Sequence, residues 1–203
     1  MKGKFIVIEG VDGSGKTTVI MHLMGAFTDG SVVFTREPGG TKIGSLIRGI
    51  LTEETMDPMS EILLFYADRR EHLLNTVVPA LESGVHVITD RFEASTYAYQ
   101  LAGHEHMEYE ELFRYLSVRV VGTVVPDHYI LIDVPTEVAE ARMRSRPGER
   151  SKFDAMDQEF HRRTREGYKK FLAAYPHTVI DGSGTSEEAC RAVEAVVRKV
   201  IAR

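Results

Sequence analysis

Gly10-Val11-Asp12-Gly13-Ser14-Gly15-Lys16-Thr17 is the stretch from which the rest of the chain is read. It fits the pattern G-x-x-x-x-G-K-[ST], and it lies between a short apolar run, Phe5–Glu9, and a stretch of helical character. Strand, loop and helix in that order are the context this pattern requires. Glycines let the backbone turn tightly and aim successive N–H groups at phosphate oxygens, and the helix that opens there adds partial positive charge. Gly10, Val11, Asp12, Gly13, Ser14, Gly15, Lys16, Thr17 and Thr18 are therefore expected to hold a nucleoside triphosphate. Lys16 would reach the β- and γ-phosphates, and the Thr17 hydroxyl would face Mg²⁺.

Working outward, four more short apolar runs follow: Val32–Thr35, Val85–Thr89, Tyr129–Asp133 and Thr178–Ile180. Each leads through a turn or polar cluster into a helical pattern. That alternation predicts an α/β protein of the P-loop NTPase fold, a five-stranded parallel sheet covered by helices on both faces. In the last helical pattern Ala189, Val193, Val196, Val197 and Val200 recur at three and four residues and share one face. With 203 residues and 43% hydrophobic content the chain can bury one substantial core, so residues 1–203 read as one domain. The stretch Arg146–Lys152, RPGERSK, reads as an exposed loop between two long helices, within a lid at approximately 142–154.

The net charge of −5 and pI of about 5.9 give no overall attraction to a nucleic acid polymer or an anionic membrane. Charge is uneven, however. Residues 142–170 hold ten Lys or Arg against five Asp or Glu, leaving 15 against 25 elsewhere, a local +5 on a −10 body. A small polyanion needs only such a patch. A single cysteine, Cys190, forms no intramolecular disulfide and falls in a helical pattern, where it reads as packing. With no leader-like N-terminus and no run of about 18 apolar residues, a soluble, cytoplasmic protein is expected. The eight histidines show no ligand spacing, His104 and His106 falling in a loop, so no structural metal is assigned.

A phosphate loop does not by itself choose among motors, switches and kinases. Thr35-Arg36-Glu37-Pro38-Gly39-Gly40-Thr41 follows the second strand, where a Pro-Gly-Gly turn holds charged groups at the carboxyl edge of the sheet. Phe65 and Arg69, four apart on a helical stretch, offer a stacking face and a fork of donors suited to a flat base. Taken alone, the pair reads more readily as a core phenylalanine beside a solvated arginine. After the third strand comes Asp90-Arg91-Phe92-Glu93-Ala94-Ser95-Thr96-Tyr97-Ala98-Tyr99-Gln100, at a strand end where open α/β sheets bind ligands. Asp90 there would help hold Mg²⁺ or its waters, and Arg91 would grip an acceptor phosphate.

Together these segments resemble thymidylate kinase over nearly the whole chain. The resemblance lies in the loop EG-x-[DE]-G-x-GK-[ST]-T at Glu9–Thr18, the TREPGGT turn, the F-x-x-x-R helix and the DR-[YF]-x-x-S-x-x-A-Y-Q segment, in family order and spacing. It implies that Asp12 accepts a hydrogen bond from the deoxyribose 3′-hydroxyl, and that Arg91 with Arg36 or Arg48 handles the acceptor phosphate beside Glu37. By the same resemblance Phe65 stacks on thymine, Arg69 donates to a base carbonyl, and Thr96 and Gln100 complete the base edge. Tyr99 would lie where a ribose 2′-hydroxyl would clash, and Tyr168 near the nucleoside, with helix packing as the equal alternative for Tyr168.

The family places an arginine against the transferred phosphoryl group from the phosphate loop or from the lid. Here Gly13-Ser14 occupy the loop position, so the lid must supply it from Arg142-Met143-Arg144-Ser145-Arg146 or Arg150; Arg144, Arg146 and Arg150 join Lys16 and Arg91 as the expected catalytic groups. Ser151-Lys152-Phe153-Asp154 departs from the usual D-R-[IFM]-E, exchanging a forked guanidinium for a point charge. The implied reaction is ATP + dTMP to ADP + dTDP with Mg²⁺, in a homodimer. Competing readings are a broader deoxynucleoside monophosphate kinase or a deoxynucleoside kinase. A P-loop switch or ATPase with a macromolecular partner is the alternative from another class.

Overall fold

The computed structural model describes residues 3–145, 153 and 156–202. Five strands form one sheet: β1 (Phe5–Glu9), β2 (Val32–Arg36), β3 (His86–Asp90), β4 (His128–Asp133) and β5 (His177–Asp181). All neighbours are parallel, in the order β2-β3-β1-β4-β5. The expected strands are all present, with ends displaced by at most one residue. Those shifts matter at the carboxyl ends, where Arg36 and Asp90 become terminal strand residues paired in register with one another.

The nine α-helices of the described residues are α1 (Lys16–Ala26), α2 (Lys42–Glu53), α3 (Pro58–His72), α4 (Val78–Glu82), α5 (Glu93–Thr96), α6 (Glu110–Leu116), α7 (Thr136–Ser145), α8 (Gln158–Leu172) and α9 (Ser186–Ile201). Their starts are written in the sequence. Thr41, Asp57 and Asp157 cap α2, α3 and α8 with side-chain oxygens on backbone N–H groups, and Thr185 with Glu188 forms a reciprocal box at α9. A π-helical stretch, Tyr97–Gly103, continues directly from α5.

Strand side chains alternate, and so the core divides across the sheet. Phe5 and Val7 face one side with Tyr66, Phe92, Tyr97, Tyr129 and Phe171, while Ile6 and Ile8 face the other with Val19, Leu23, Val193 and Val197. Cys190 is free and buried in this second layer, as is the apolar face of α9. Because β1 lies between β3 and β4, the chain turns to opposite sides of β1, and a crevice opens beyond its carboxyl end.

Small residues set how closely α8 approaches the π-helical stretch. A Cβ on Gly167 would fall 2.7 Å from Ala102 Cβ and 3.0 Å from Ala98 Cα, backbone that does not yield. Gly167→Ala is therefore expected to destabilise the fold by about 1–3 kcal/mol through overpacking. Gly25→Ala, inside α1 with open space around it, should instead stabilise by about 0.5–1 kcal/mol. Urea unfolding midpoints of the two variants test the pair; equal shifts would remove the close contact as an explanation.

Candidate active site

The loops after β1, β2 and β3 converge on a cleft of about 1040 Å³. In the first loop Gly15 is left-handed (φ 99°) and caps α1, so the chain reverses immediately before Lys16. Gly13 is also left-handed (φ 80°), and a Cβ there would stand 2.4 Å from the Ala139 carbonyl oxygen of α7. No side chain fits at that position while α7 holds its place. Lys16 is folded back over the loop, its Nζ donating to the carbonyls of Gly10 (2.7 Å) and Val11 (3.0 Å). Burial, then the neighbouring Arg91, pulls its pKa down to about 8. Thr17 and Thr18 are exposed on the cleft, whereas Val11 and Ser14 are buried within the loop.

Arg91 follows β3 with a positive φ of 72°, a conformation that costs a non-glycine residue about 1–2 kcal/mol. Its side chain offsets that strain with a dense set of partners. Nη2 donates to Asp12 Oδ1 at 2.6 Å, and Nη1 to Tyr168 Oη at 2.8 Å, Ser95 Oγ at 3.0 Å and the Gly10 carbonyl at 3.3 Å. The guanidinium lies 5.0 Å from the Tyr99 ring centre, and Tyr99 Oη donates to Asp12 Oδ2 at 2.9 Å. Burial would raise the Asp12 pKa, but Arg91 and Lys16 outweigh it and hold it at about 2. Behind them Glu9 accepts from Ser95 Oγ (2.6 Å) and Phe92 N (2.9 Å), and burial pushes its pKa up to about 7.

Arg36 and Arg48 line the same cleft. Arg48 donates to the Pro38 carbonyl at 3.1 Å; burial, then the nearby Arg36 and Arg91, disfavours its charge. Three guanidinium groups thus face one space, an arrangement that asks for a multiply charged anion. Phe65 and Gln100 line the cleft as well. Arg69 is not solvated. It is about 1% exposed, between the rings of Tyr66 and Phe92, with Nε donating to Glu37 Oε2 (2.9 Å) and Nη2 to Thr96 Oγ1 (3.1 Å). Burial opposes the Arg69 charge, yet Glu37 and its other neighbours hold the guanidinium protonated. Its Nη1 has no hydrogen-bond partner among the described residues.

Thr96 and Tyr168 do not line the cleft; they stand behind it as partners of Arg69 and Arg91. Arg142 lines the cleft beside Ser186 and donates to the Gly184 carbonyl, while Arg144, on the same last turn of α7, points to solvent 3.9 Å from Glu140. Arg146, Arg150 and most of the expected lid lie outside the described residues. Several contributors have no role that sequence alone assigns. Ser95 and Glu9 sit inside the quoted motifs without one, and Glu61 stands one helical turn before Phe65. His72 donates from Nδ1 to Glu37 Oε1 at 2.7 Å and is fully buried.

A divalent cation can be tested against these groups. Asp90 Oδ1 is buried without a partner among the described residues, in a residue that lines the cleft with Thr17. No cluster of three metal-binding side chains exists among the described residues. One carboxylate and one hydroxyl suit Mg²⁺, which keeps several waters and takes substrate phosphates as its remaining ligands.

A loop that cradles phosphate, a cationic acceptor space and a base-sized wall beside it define a P-loop phosphotransferase site. Comparison with known proteins specifies it further. The family model described as thymidylate kinase matches residues 8–193. The chain is 40% identical over 192 residues to a thymidylate kinase of Carboxydothermus hydrogenoformans, covering 93% of each. It is 42% identical over 189 residues to one of Cupriavidus taiwanensis (90% of this chain, 92% of the relative), and 38% identical over 209 residues, the full length of both, to one of Nitrosospira multiformis. The chain belongs to the thymidylate kinase family.

If Lys16 is to bind ATP phosphate as a cation, kcat/KM for ATP should hold steady below about pH 8 and fall roughly tenfold per unit above it. A profile that stays flat to about pH 9.5 would show the lysine charge to be secure in the free protein.

Proposed function

We propose that the chain transfers the γ-phosphoryl group of ATP to dTMP, giving ADP and dTDP. The observation that carries this reading is the convergence of Arg36, Arg48 and Arg91 on a space bounded by the phosphate loop on one side and by Phe65 and Gln100 on the other. A monophosphate dianion there would relieve the mutual repulsion of the three guanidiniums, and a flat base would rest against Phe65.

An acceptor phosphate oxygen is already an anion at neutral pH, so the protein need not supply a strong base. It attacks the γ-phosphorus in line, and as the new O–P bond forms the β–γ bridging bond breaks, its electron pair leaving on ADP. Positioning and charge neutralisation dominate the catalysis. Lys16 would exchange its loop carbonyls for β- and γ-phosphate oxygens, and Arg91 would hold the acceptor phosphate while keeping Asp12 toward the sugar 3′-hydroxyl. Tyr99, which donates to Asp12, would occupy the space a 2′-hydroxyl would enter. Thr17 and Asp90 would hold Mg²⁺ or its waters; when bound, the ion supplies charge neutralisation on the donor phosphates. Since Gly13 has no room for a side chain, the arginine on the transferred group would come from the last turn of α7 or the connection after it, from Arg144, Arg146 or Arg150. Closure of residues 142–154 as a lid over one 1–203 domain would keep water from the phosphates.

The exposed apolar side chains Leu46 and Ile50 of α2 and Met59 and Leu63 of α3 support a homodimer through these two helices. No helix among the described residues is long and apolar enough to cross a membrane, and we place the protein in the cytoplasm. Leu46→Asp with Leu63→Asp is expected to convert the dimer to monomer in sedimentation velocity; a native protein already monomeric at tens of micromolar would refute the interface.

The function is tested by ADP release from Mg·ATP over a panel of nucleoside monophosphates and deoxynucleosides, with a no-acceptor control. Expected is strong dependence on dTMP and a loss of at least about a hundredfold in Arg91→Ala. Preference for another acceptor would keep the kinase and reject dTMP, whereas acceptor-independent turnover would favour the switch reading.

A further inference from the structure

On α3, Glu61, Phe65 and Arg69 recur at four-residue intervals and share one face. Phe65 forms part of the cleft wall, and Arg69 stands behind it. Glu61 is about 7% exposed and stands behind the wall too, yet it reaches the cleft through Gln100: its Oε2 accepts from Gln100 Nε2 at 3.2 Å. Gln100 itself is buried but lines the cleft, and its amide makes no other side-chain hydrogen bond among the described residues.

A glutamine amide is nearly symmetric in shape and opposite in hydrogen-bonding character at its two ends. Left alone it can turn over and offer either a donor or an acceptor to a ligand. A carboxylate can only accept, and so Glu61 demands the NH₂ end of Gln100. The carbonyl end is then the end left for the cleft.

We infer that Glu61 is a specificity-determining positioning residue, which fixes the Gln100 amide so that its carbonyl oxygen is offered to a ring N3–H. This rests on the reading of the cleft as a pyrimidine monophosphate site. Thymine carries a proton on N3 and satisfies that carbonyl. Cytosine presents a lone pair there, and the facing oxygen repels it. Arg69, with its Nη1 free of partners among the described residues, adds a donor that a ring carbonyl satisfies and an exocyclic amine does not. Two buried acids, Glu37 on Arg69 and Glu61 on Gln100, thus each hold one base-reading group in place, and Glu61 also selects which end of its partner is offered.

The test compares kcat/KM for dTMP and dCMP in the wild type, Glu61→Met, Gln100→Glu and the exchanged pair E61Q/Q100E. Glu61→Met should lower the dTMP-over-dCMP ratio about tenfold, the size of one misplaced hydrogen bond, with the loss carried by KM for dTMP rather than by kcat. Gln100→Glu sets two carboxylates against each other and should lose the ratio similarly. In the exchanged pair the amide moved to position 61 donates to the carboxylate moved to position 100, whose other oxygen is still offered to N3–H, and the ratio should return to within about threefold of wild type. A Glu61→Met ratio equal to wild type, with both acceptors weakened alike, would reduce Glu61 to a structural role. An exchanged pair no better than Gln100→Glu would overturn the inference, and that comparison decides alone if thermal melting shows Glu61→Met to be unfolded. Absence of dTMP preference in the wild type would instead reject the acceptor assignment itself.

Discussion

Arg91 ties the site together because the phosphate loop, the segment that follows the third strand and α8 all meet at its side chain. Its guanidinium joins Asp12 and the Gly10 carbonyl of the first loop to Ser95 of α5 and Tyr168 of α8. To reach them the residue adopts a backbone conformation that L-residues avoid. That strain persists because the strand before it and the helix after it leave the chain no alternative: Arg91 N donates to the Ile8 carbonyl, and Phe92 N to Glu9 Oε1. The parallel sheet therefore supplies more than a scaffold. By placing β3 directly beside β1 it sets the spacing at which one arginine can hold two loops in mutual register.

Charge in this cleft is arranged in layers. Nearest the ligand space lie Lys16, Arg36, Arg48 and Arg91, with Asp12 and Glu37 set among them and Glu9 and Glu61 behind. The acids direct the cations without neutralising the space itself. Asp12 is held ionised by Arg91 and Lys16, whereas Glu9, deeper and served mainly by Ser95 and backbone N–H groups, has a pKa near neutrality. Two carboxylates three residues apart in sequence thus differ by several pKa units, because one touches cations and the other is buried behind them.

Much of the fold is legible in the sequence because it is local. Short apolar runs locate all five strands, three- and four-residue spacing of apolar residues locates the buried face of α9, and the phosphate loop announces its own strand and helix. Phe65 and Arg69 are legible as a pair, but spacing leaves Arg69 beside solvent. Spacing along one helix places two side chains on a face without telling how deep that face lies, and the depth here comes from Phe92 and Glu37 on other strands' loops. Thr96 reads as a pocket residue and Tyr168 equally as a pocket or a packing residue, and both stand behind the pocket for the same reason. Glu61, Ser95 and His72 give no signal of their own, since a buried hydrogen-bond partner is defined only once the elements have packed. The sequence pattern puts Arg36 and Asp90 in loops next to strands, a one-residue matter that decides whether they face one another across the sheet.

The contact between Gly13 and the Ala139 carbonyl has a historical reading as well. If the arginine on the transferred group comes from the end of α7 or beyond it, as proposed, it cannot move into the loop by a change at codon 13 alone, since the helix must first withdraw and remake its packing against the loop. Nor is there gain in withdrawing the helix while the loop still holds glycine. The two ways of supplying one positive charge are thus separated by a valley of poorly packed intermediates, and descendants of this architecture are expected to keep the solution they inherited.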